Sequence, residues 1–426
     1  MGKKTFAVVG SGISGLACAN ILRENNFISR VFEGRKITGG LISCTKENGN
    51  LFHRVGGHVF NSKNEEVSKW FWQKFDKKNE FLKAKRNAAI YINKDFINYP
   101  IELHLNQLEA SKAYSVVNEL IDLSYKKKEV IHSSFEEFLN NNFGKTLCEI
   151  YFKKYNKKIW NRDLSKIPMD WLEGKLPIID PKEILFRNIF SSVEDNMVHS
   201  TFYYPKIEGS QFIVERLSEG LNVYKELIEN INIKNDKIYL NQGKENFDSI
   251  IYTGDIRNLS GILEKNIIKE LEIENILDQI SFLDSNSTSV ALCECDANPY
   301  SWVYLPDENL KPHRIIMTGN FSENNNSNYL KKGRISCTVE CSGEVKLSDL
   351  KDEISKVPFN LKFIAYNFSK NSYIIHNKNT RFLIHELKKK LVKKNIFLCG
   401  RFAEWEYFNM DVAIESAMKV CKIAIT

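Results

Sequence analysis

The sequence predicts an α/β fold in which one nucleotide-binding domain, assembled from both ends of the chain, is interrupted by a helical insertion domain and by an antiparallel β-sheet domain. Three observations carry this expectation. A strand, glycine turn, helix and second strand follow one another within residues 4–33, and amphipathic helical stretches fill the region from about Leu103 to Glu173. A β-rich texture then begins near Ile280 and gives way at Asn395 to another strand, glycine turn and helix. At 426 residues the chain is too long for one ordinary domain and suits two or three packed units.

Residues 4–9, Lys-Thr-Phe-Ala-Val-Val, form a continuous apolar run bounded by glycine, as a strand covered on both faces requires. Leu16, Ala19 and Leu22 then recur at helical spacing, and Arg30-Val-Phe-Glu33 reads as the next strand of a βαβ unit. Ala110 to Tyr125 and Ser134 to Phe143 carry apolar residues three to four apart, which predicts helices. Ser289–Cys295, Arg314–Thr318 and Arg334–Cys341 read as strands separated by polar turns such as 323–328. Asn395–Gly400 and the helix Asp411–Ile425 return to the nucleotide-binding type. The expected domain plan is therefore 1–98, 201–275 and 381–426 for the nucleotide-binding domain, 99–200 for the helical insertion and 276–380 for the antiparallel sheet.

Composition narrows the function. Hydrophobic residues at 43% and charged residues at 27% are ordinary for a soluble globular protein and exclude wholesale disorder. The net charge of +7 comes from scattered lysines rather than a basic block, so nucleic acid is not an expected partner and a phosphorylated small molecule is compatible. No run approaches the roughly 18 apolar residues of a membrane span. The amino-terminal Lys3-Lys4 and following apolar stretch are interrupted at Gly10–Gly15, unlike a leader peptide. Nine dispersed cysteines without a CxxC pair suit packed free thiols in a reducing cytoplasm, and no metal site is expected.

Gly10-Ser-Gly12-Ile-Ser14-Gly15 fits GxGxxG, with one glycine for the tight turn, one for backbone approach to a pyrophosphate and one for close helix packing. The helix start supplies free N–H groups to phosphate, and Glu33, at the end of the next strand, is placed to accept from an adenosine ribose. A second glycine pair follows in Glu33-Gly34-Arg35 to Gly39-Gly40-Leu41 and favours FAD over NAD, because the flavin pyrophosphate lies across two glycine-bearing loops. Ile228 stands where such proteins place an apolar residue against adenine, although a plain core position is an equal reading. Near the end, Gly400-Arg401 and the amides around Asn409 and Met410 could meet the ribityl chain or phosphate.

Gly57-His58-Val-Phe60, Asn98-Tyr99-Pro100, Tyr155 to Trp160 followed by Leu176-Pro177, and Gly400-Arg401 to Asp411 resemble, in order and spacing, the UDP-galactopyranose mutase family. Trp302–Pro306 and Pro312–Arg314 also resemble protoporphyrinogen oxidase and amine oxidase flavoproteins. The mutase resemblance implies a reduced flavin whose N5 attacks an anomeric carbon, pyranose–furanose interconversion of a nucleotide-linked or anionic sugar, and a role in surface polysaccharide synthesis. It would place His58 beside the flavin, Tyr155 and Trp160 along the nucleotide and sugar pocket, and Tyr407 at a phosphate or the sugar. Each of these side chains has a core or loop reading as its alternative. The family's arginine after the Leu-Pro is absent from Leu176-Pro177-Ile-Ile-Asp180, a second is absent near Ile280, and Asn61 and Asn409 replace a histidine and an acid. Two arginines gripping a diphosphate are a costly loss. Lys206 and Arg314 are the favoured substitutes, ahead of Arg187 and the run Lys153, Lys154, Lys157 and Lys158. The alternative function is an oxidoreductase of the amine oxidase type using oxidised flavin. A homodimer is left open.

Overall fold

The structure is a computed structural model that describes residues 3–126, 132–169, 180–190 and 201–426. Its nucleotide-binding unit is a five-stranded parallel sheet in the order Ile396–Leu398, Ser249–Tyr252, Thr5–Val9, Ile28–Phe32 and Val223–Tyr224. The strands come from the start, middle and end of the chain, as the βαβ reading of both termini requires. On one face, helices Ile13–Glu24 and Met410–Ile425 bury Leu16, Ala19, Ile414, Ala417 and Cys421 against Phe6 and Val8. On the other, Leu383, Leu387 and Leu391 of Thr380–Val392 and Leu277 and Ile280 of Glu274–Ser281 cover Ala7, Ile250 and Ile396. Sheet residues are therefore apolar on both sides, and each large side chain so enclosed contributes about 1.5–3 kcal/mol.

The second sheet has seven strands in the order Lys362–Ile374, Ser285–Asp296, Arg334–Ser342, Arg314–Ile316, Trp302–Tyr304, Ala88–Ile92 and Asp95–Asn98. One expectation changes here. Residues 88–98, assigned from sequence to the nucleotide-binding domain, form the last two strands of this sheet. The sheet is mostly antiparallel, as expected, with one parallel pairing between Trp302–Tyr304 and Ala88–Ile92. The physical reason for the change is that this parallel pairing joins segments more than two hundred residues apart, and no local pattern announces it.

The helical insertion begins where the periodicity places it. Ala110–Tyr125 matches the expected span, and Phe135–Leu147 starts after Ser134, whose hydroxyl accepts from the Glu137 amide at 3.3 Å. Leu120, Phe135, Phe138 and Leu147 share one core with Trp302, Tyr304 and Ile316, so these helices close over the second sheet. All nine cysteines are free and buried. Among the described residues no helix is long and apolar enough to cross a membrane, and no group of three or more His, Cys, Asp and Glu could hold a metal ion.

Candidate functional site

The carboxyl ends of the parallel strands open into a cleft of about 1010 Å³ that continues to the second sheet. Its floor is made by two glycine loops lying side by side. The Gly10 amide donates to the Phe32 carbonyl at 2.8 Å, and the Gly39 amide to the Ser11 carbonyl at 2.9 Å. A Cβ on Gly15 would run into the Gly10 carbonyl oxygen, so only glycine lets the helix begin this close to the turn. Gly12 differs, since its φ of −71° suits any residue. A Cβ there would meet only the Gly40 Cα, at 4.0 Å. The gap between Gly12 and Gly40 is thus bounded by backbone alone. Helix Ile13–Glu24 opens into it with no side-chain cap, which leaves its first-turn N–H groups for an anion.

Glu33 is buried at the rim. Its carboxylate accepts from the Ser11 amide at 3.0 Å, the Ser11 hydroxyl at 2.6 Å and the Arg35 amide at 2.8 Å. Of roughly four acceptor positions on a carboxylate, three are used and the group is held rigid. Gly400, at φ 94°, lies so close to Ser14 that a side chain would strike it, which presses the carboxyl-terminal loop against the first helix turn. The second helix N-terminus, at Met410, also reaches the cleft and lacks a side-chain cap. Paired glycine loops, two helix starts, an acidic rim residue and the available volume fit the pyrophosphate and ribose of a dinucleotide such as FAD.

The far end of the cleft is built differently. Arg401 lies over the Tyr407 ring at 4.2 Å and near Tyr373 at 5.5 Å, and its Nε and one terminal nitrogen have no partner among the described residues. Arg314 donates through Nε to Glu340 at 2.5 Å and through Nη2 to the Tyr373 hydroxyl at 2.8 Å. Glu340 is wholly buried and also accepts from the Gly56 amide at 2.5 Å. Burial alone would raise this carboxyl, but the Arg314 guanidinium outweighs it and holds the group well below the usual carboxylate range. One carboxylate therefore fixes both a cleft arginine and the loop that carries His58.

His58 is depressed from its ordinary 6.5 to about 4, first by burial and then by the charge of Arg401. Behind it, His53 is depressed to about 3 by burial and by His58, and shares a 2.8 Å hydrogen bond with the Tyr204 hydroxyl. Both imidazoles are neutral at pH 7. His58 Nε2 has no partner among the described residues and lines the cleft. The unfolded chain takes up these protons below about pH 6.5 and the folded chain does not. Stability is thus complete above pH 6.5 and lost as the pH falls toward 4. The depression is worth about 3 kcal/mol for His58 and about 5 kcal/mol for His53. The expected outcome is a melting temperature that drops between pH 6.5 and 4 and drops less in His58→Gln, as scanning calorimetry can measure.

Of the residues expected at the site, Gly10, Gly12, Ser14, Glu33, Arg35, Gly39, Gly40, Leu41, Gly57, His58, Arg314, Arg401, Tyr407, Asn409 and Met410 line this one cleft. Gly15, Gly34 and Gly400 stand just behind it; Gly15 and Gly400 set the close approaches described above, and Leu227 packs on Gly34. Four expectations are corrected. Ile228 is buried in the core beside Phe32 and does not reach the cleft. Tyr155 and Trp160 stand one ring behind its wall, 5.1 Å from Tyr304 and 6.1 Å from Tyr373, because their helix packs on the sheet through them. Lys206 lies elsewhere and donates to the Lys78 carbonyl at 3.2 Å.

Three of the other candidate cations are engaged within the protein, and neither Lys154 nor Lys157 lines the cleft. Lys158 donates to the carbonyls of Leu305, Asp307 and Pro312, and burial lowers its pKa to about 8. Lys153 pairs with Glu136 and Arg187 with Glu183. Leu176-Pro177 lies outside the described residues. Asn61 does line the cleft, whereas Ile280 is core. Four wall residues were not foreseen: Trp302, Tyr304, Tyr373 and Arg86. The Trp302–Pro306 motif was a signal for the first two; the others carry none.

Comparison with known proteins agrees with this geometry. Residues 8–75 match the family model of an NAD(P)-binding Rossmann-like domain. The chain is 26% identical, over 60% of its length and 61% of the other's, to a Klebsiella pneumoniae protein named "probable UDP-galactopyranose mutase". It is 24% identical to dTDP-fucopyranose mutase of Escherichia coli over 98% of this chain and 97% of that one. The crystal structure of reduced UDP-galactopyranose mutase superposes with a TM-score of 0.85 at 19% identity, covering 99% of this chain and 95% of that one, and so shares the fold. In sequence likeness and in fold, the chain resembles the UDP-galactopyranose mutase group of enzymes.

Proposed function

We propose that the chain binds FAD and, with the flavin reduced, interconverts pyranose and furanose forms of a nucleotide-linked sugar for surface polysaccharide synthesis. The observation that carries this reading is the continuity of the cleft, which runs from the paired glycine loops to a wall where Arg86, Arg314 and Arg401 stand among Trp302, Tyr304, Tyr373 and Tyr407. Such a wall suits an anionic substrate. An amine carries positive charge at neutral pH, and a site of this sign would repel it. Likeness to mutases of UDP- and dTDP-sugars supports the substrate class.

The Gly12–Gly40 gap would hold the pyrophosphate and Glu33 the ribose. Reduced FAD supplies a nucleophilic N5 for the anomeric carbon. The chain's own residues do the rest. Arg314 and Arg401 place fixed positive charge where a departing nucleoside diphosphate develops negative charge. His58, neutral and with its Nε2 facing the cleft, has no positive charge to give up to the leaving group. Tyr373 and Tyr407, stacked with centroids 5.9 Å apart, supply an apolar face that limits water.

The test is a thermal-shift series on the FAD-loaded protein with UDP- and dTDP-linked hexoses. A sugar nucleotide at about a hundred times its dissociation constant is expected to stabilise the protein by roughly 2.7 kcal/mol. No shift with any nucleotide sugar, on oxidised and on reduced protein alike, would sink the proposal.

A further inference from the structure

Arg86 belongs to no motif in the chain, yet the fold brings it to the cleft wall. It directly follows the strand Phe81–Lys85 and stands two residues before Ala88–Ile92, which pairs with Asp95–Asn98 and runs parallel to Trp302–Tyr304. That strand in turn pairs with Arg314–Ile316 in a register that sets Tyr304 opposite Arg314. Arg86 donates to the Tyr304 hydroxyl. Its guanidinium carbon lies 4.9 Å from the Tyr99 ring and 5.3 Å from the Trp302 ring. Arg86 thus holds the Tyr304 hydroxyl while Arg314, opposite Tyr304 in register, holds Glu340 and Tyr373, and Arg86, Trp302, Tyr304 and Arg314 all line the same cleft.

We infer that Arg86 is a substrate-binding residue whose guanidinium receives phosphate oxygens of the nucleoside diphosphate, together with Arg314. The inference rests on the nucleotide-sugar reading above and extends it to a residue outside its motifs. Three features argue for this role. A guanidinium is charged at every accessible pH, and its planar fork matches phosphate oxygens. The rings around Arg86 fix the plane of that fork before any ligand arrives, so little side-chain entropy is lost on binding. Arg86 and Arg314 line the same cleft, so their two fixed positive charges add at one place.

The experiment compares FAD-loaded wild type with Arg86→Gln and Arg86→Lys, using calorimetric titration of UDP, dTDP, their nucleosides and inorganic pyrophosphate. In Arg86→Gln, affinity for both diphosphates and for pyrophosphate is expected to fall at least tenfold, with nucleoside binding and flavin content unchanged. Arg86→Lys keeps the charge without the fork and is expected to lose about fivefold; it carries the test should Arg86→Gln fail to hold FAD. Diphosphate affinities within twofold of wild type in these variants would overturn the role of Arg86 and leave the nucleotide-sugar reading standing. Wild type that binds pyrophosphate in an Arg86-dependent way but neither nucleoside diphosphate would overturn that reading and keep the anion site. Wild type that binds none of the three overturns both.

Discussion

A Gly12→Ala chain is expected to fold like the wild type and to purify without its yellow flavin. Gly12 has extended backbone that alanine adopts without strain, and the added methyl would stand in ordinary contact with the Gly40 Cα at 4.0 Å. The fold therefore has little reason to object. The methyl would, however, occupy the gap into which two backbone loops and the free N–H groups of a helix start converge, and a pyrophosphate needs that close approach. FAD affinity is expected to fall by about 100-fold or more, equivalent to about 2.7 kcal/mol at the rule of 1.36 per factor of ten. Gly15→Ala is the contrasting case. Its methyl meets the Gly10 carbonyl, so loss of stability of at least 1–3 kcal/mol should accompany any loss of flavin. Absorbance at the flavin band and denaturant unfolding of both apoproteins separate the two outcomes.

Glu340→Ala is expected to be the most destabilising substitution at the far end of the cleft, at about 3–5 kcal/mol, because it leaves the Arg314 charge enclosed without its carboxylate. It also releases the Gly56 amide, so the loop bearing His58 should lose its position along with Arg314. Glu340→Gln keeps the shape and an acceptor and should cost less than Glu340→Ala. The depressed carboxyl gives a pH signature: its stabilisation is complete above the unfolded value near 4.5 and is lost as the pH falls below it. Chemical unfolding of wild type and Glu340→Gln side by side at pH 5 and pH 3 reads this out as a stability difference that narrows at the lower pH. A Glu340→Ala protein as stable as the wild type at pH 7 would contradict the assignment.

The dinucleotide end of the site was legible in the chain because its determinants are local. Gly10, Gly12 and Gly15 act within one turn, Glu33 ends the next strand, and Gly39 and Gly40 follow within a few residues, so spacing encodes the geometry directly. The helices Ala110–Tyr125 and Phe135–Leu147 were legible for the same reason, since apolar periodicity is read over three or four turns. The substrate end was not. Tyr155 and Trp160 have the same composition signal as Tyr304 and Tyr373, and only packing of helix on sheet decides which rings reach the cleft and which stand behind it. Arg86 sits in Lys83-Ala-Lys-Arg86, a run that reads as a solvated face. Its partners Trp302 and Tyr304 arrive through a parallel strand pairing from more than two hundred residues away. Lys206 misled in the opposite direction, because a motif-like neighbourhood, Tyr203 to Pro205, belongs to a strand paired with Phe81–Lys85 rather than to the cleft.

The proposed reaction uses the flavin in its reduced state on a nucleotide sugar without net oxidation. It is tested most directly by incubating the FAD-loaded protein with UDP- and dTDP-linked pyranoses under anaerobic conditions, with and without dithionite, and resolving the products by chromatography and NMR. Furanose product is expected only with reduced flavin, with many turnovers per flavin and no oxygen uptake when air is admitted to the oxidised enzyme with substrate. Full activity with oxidised flavin, accompanied by hydrogen peroxide release, would contradict it.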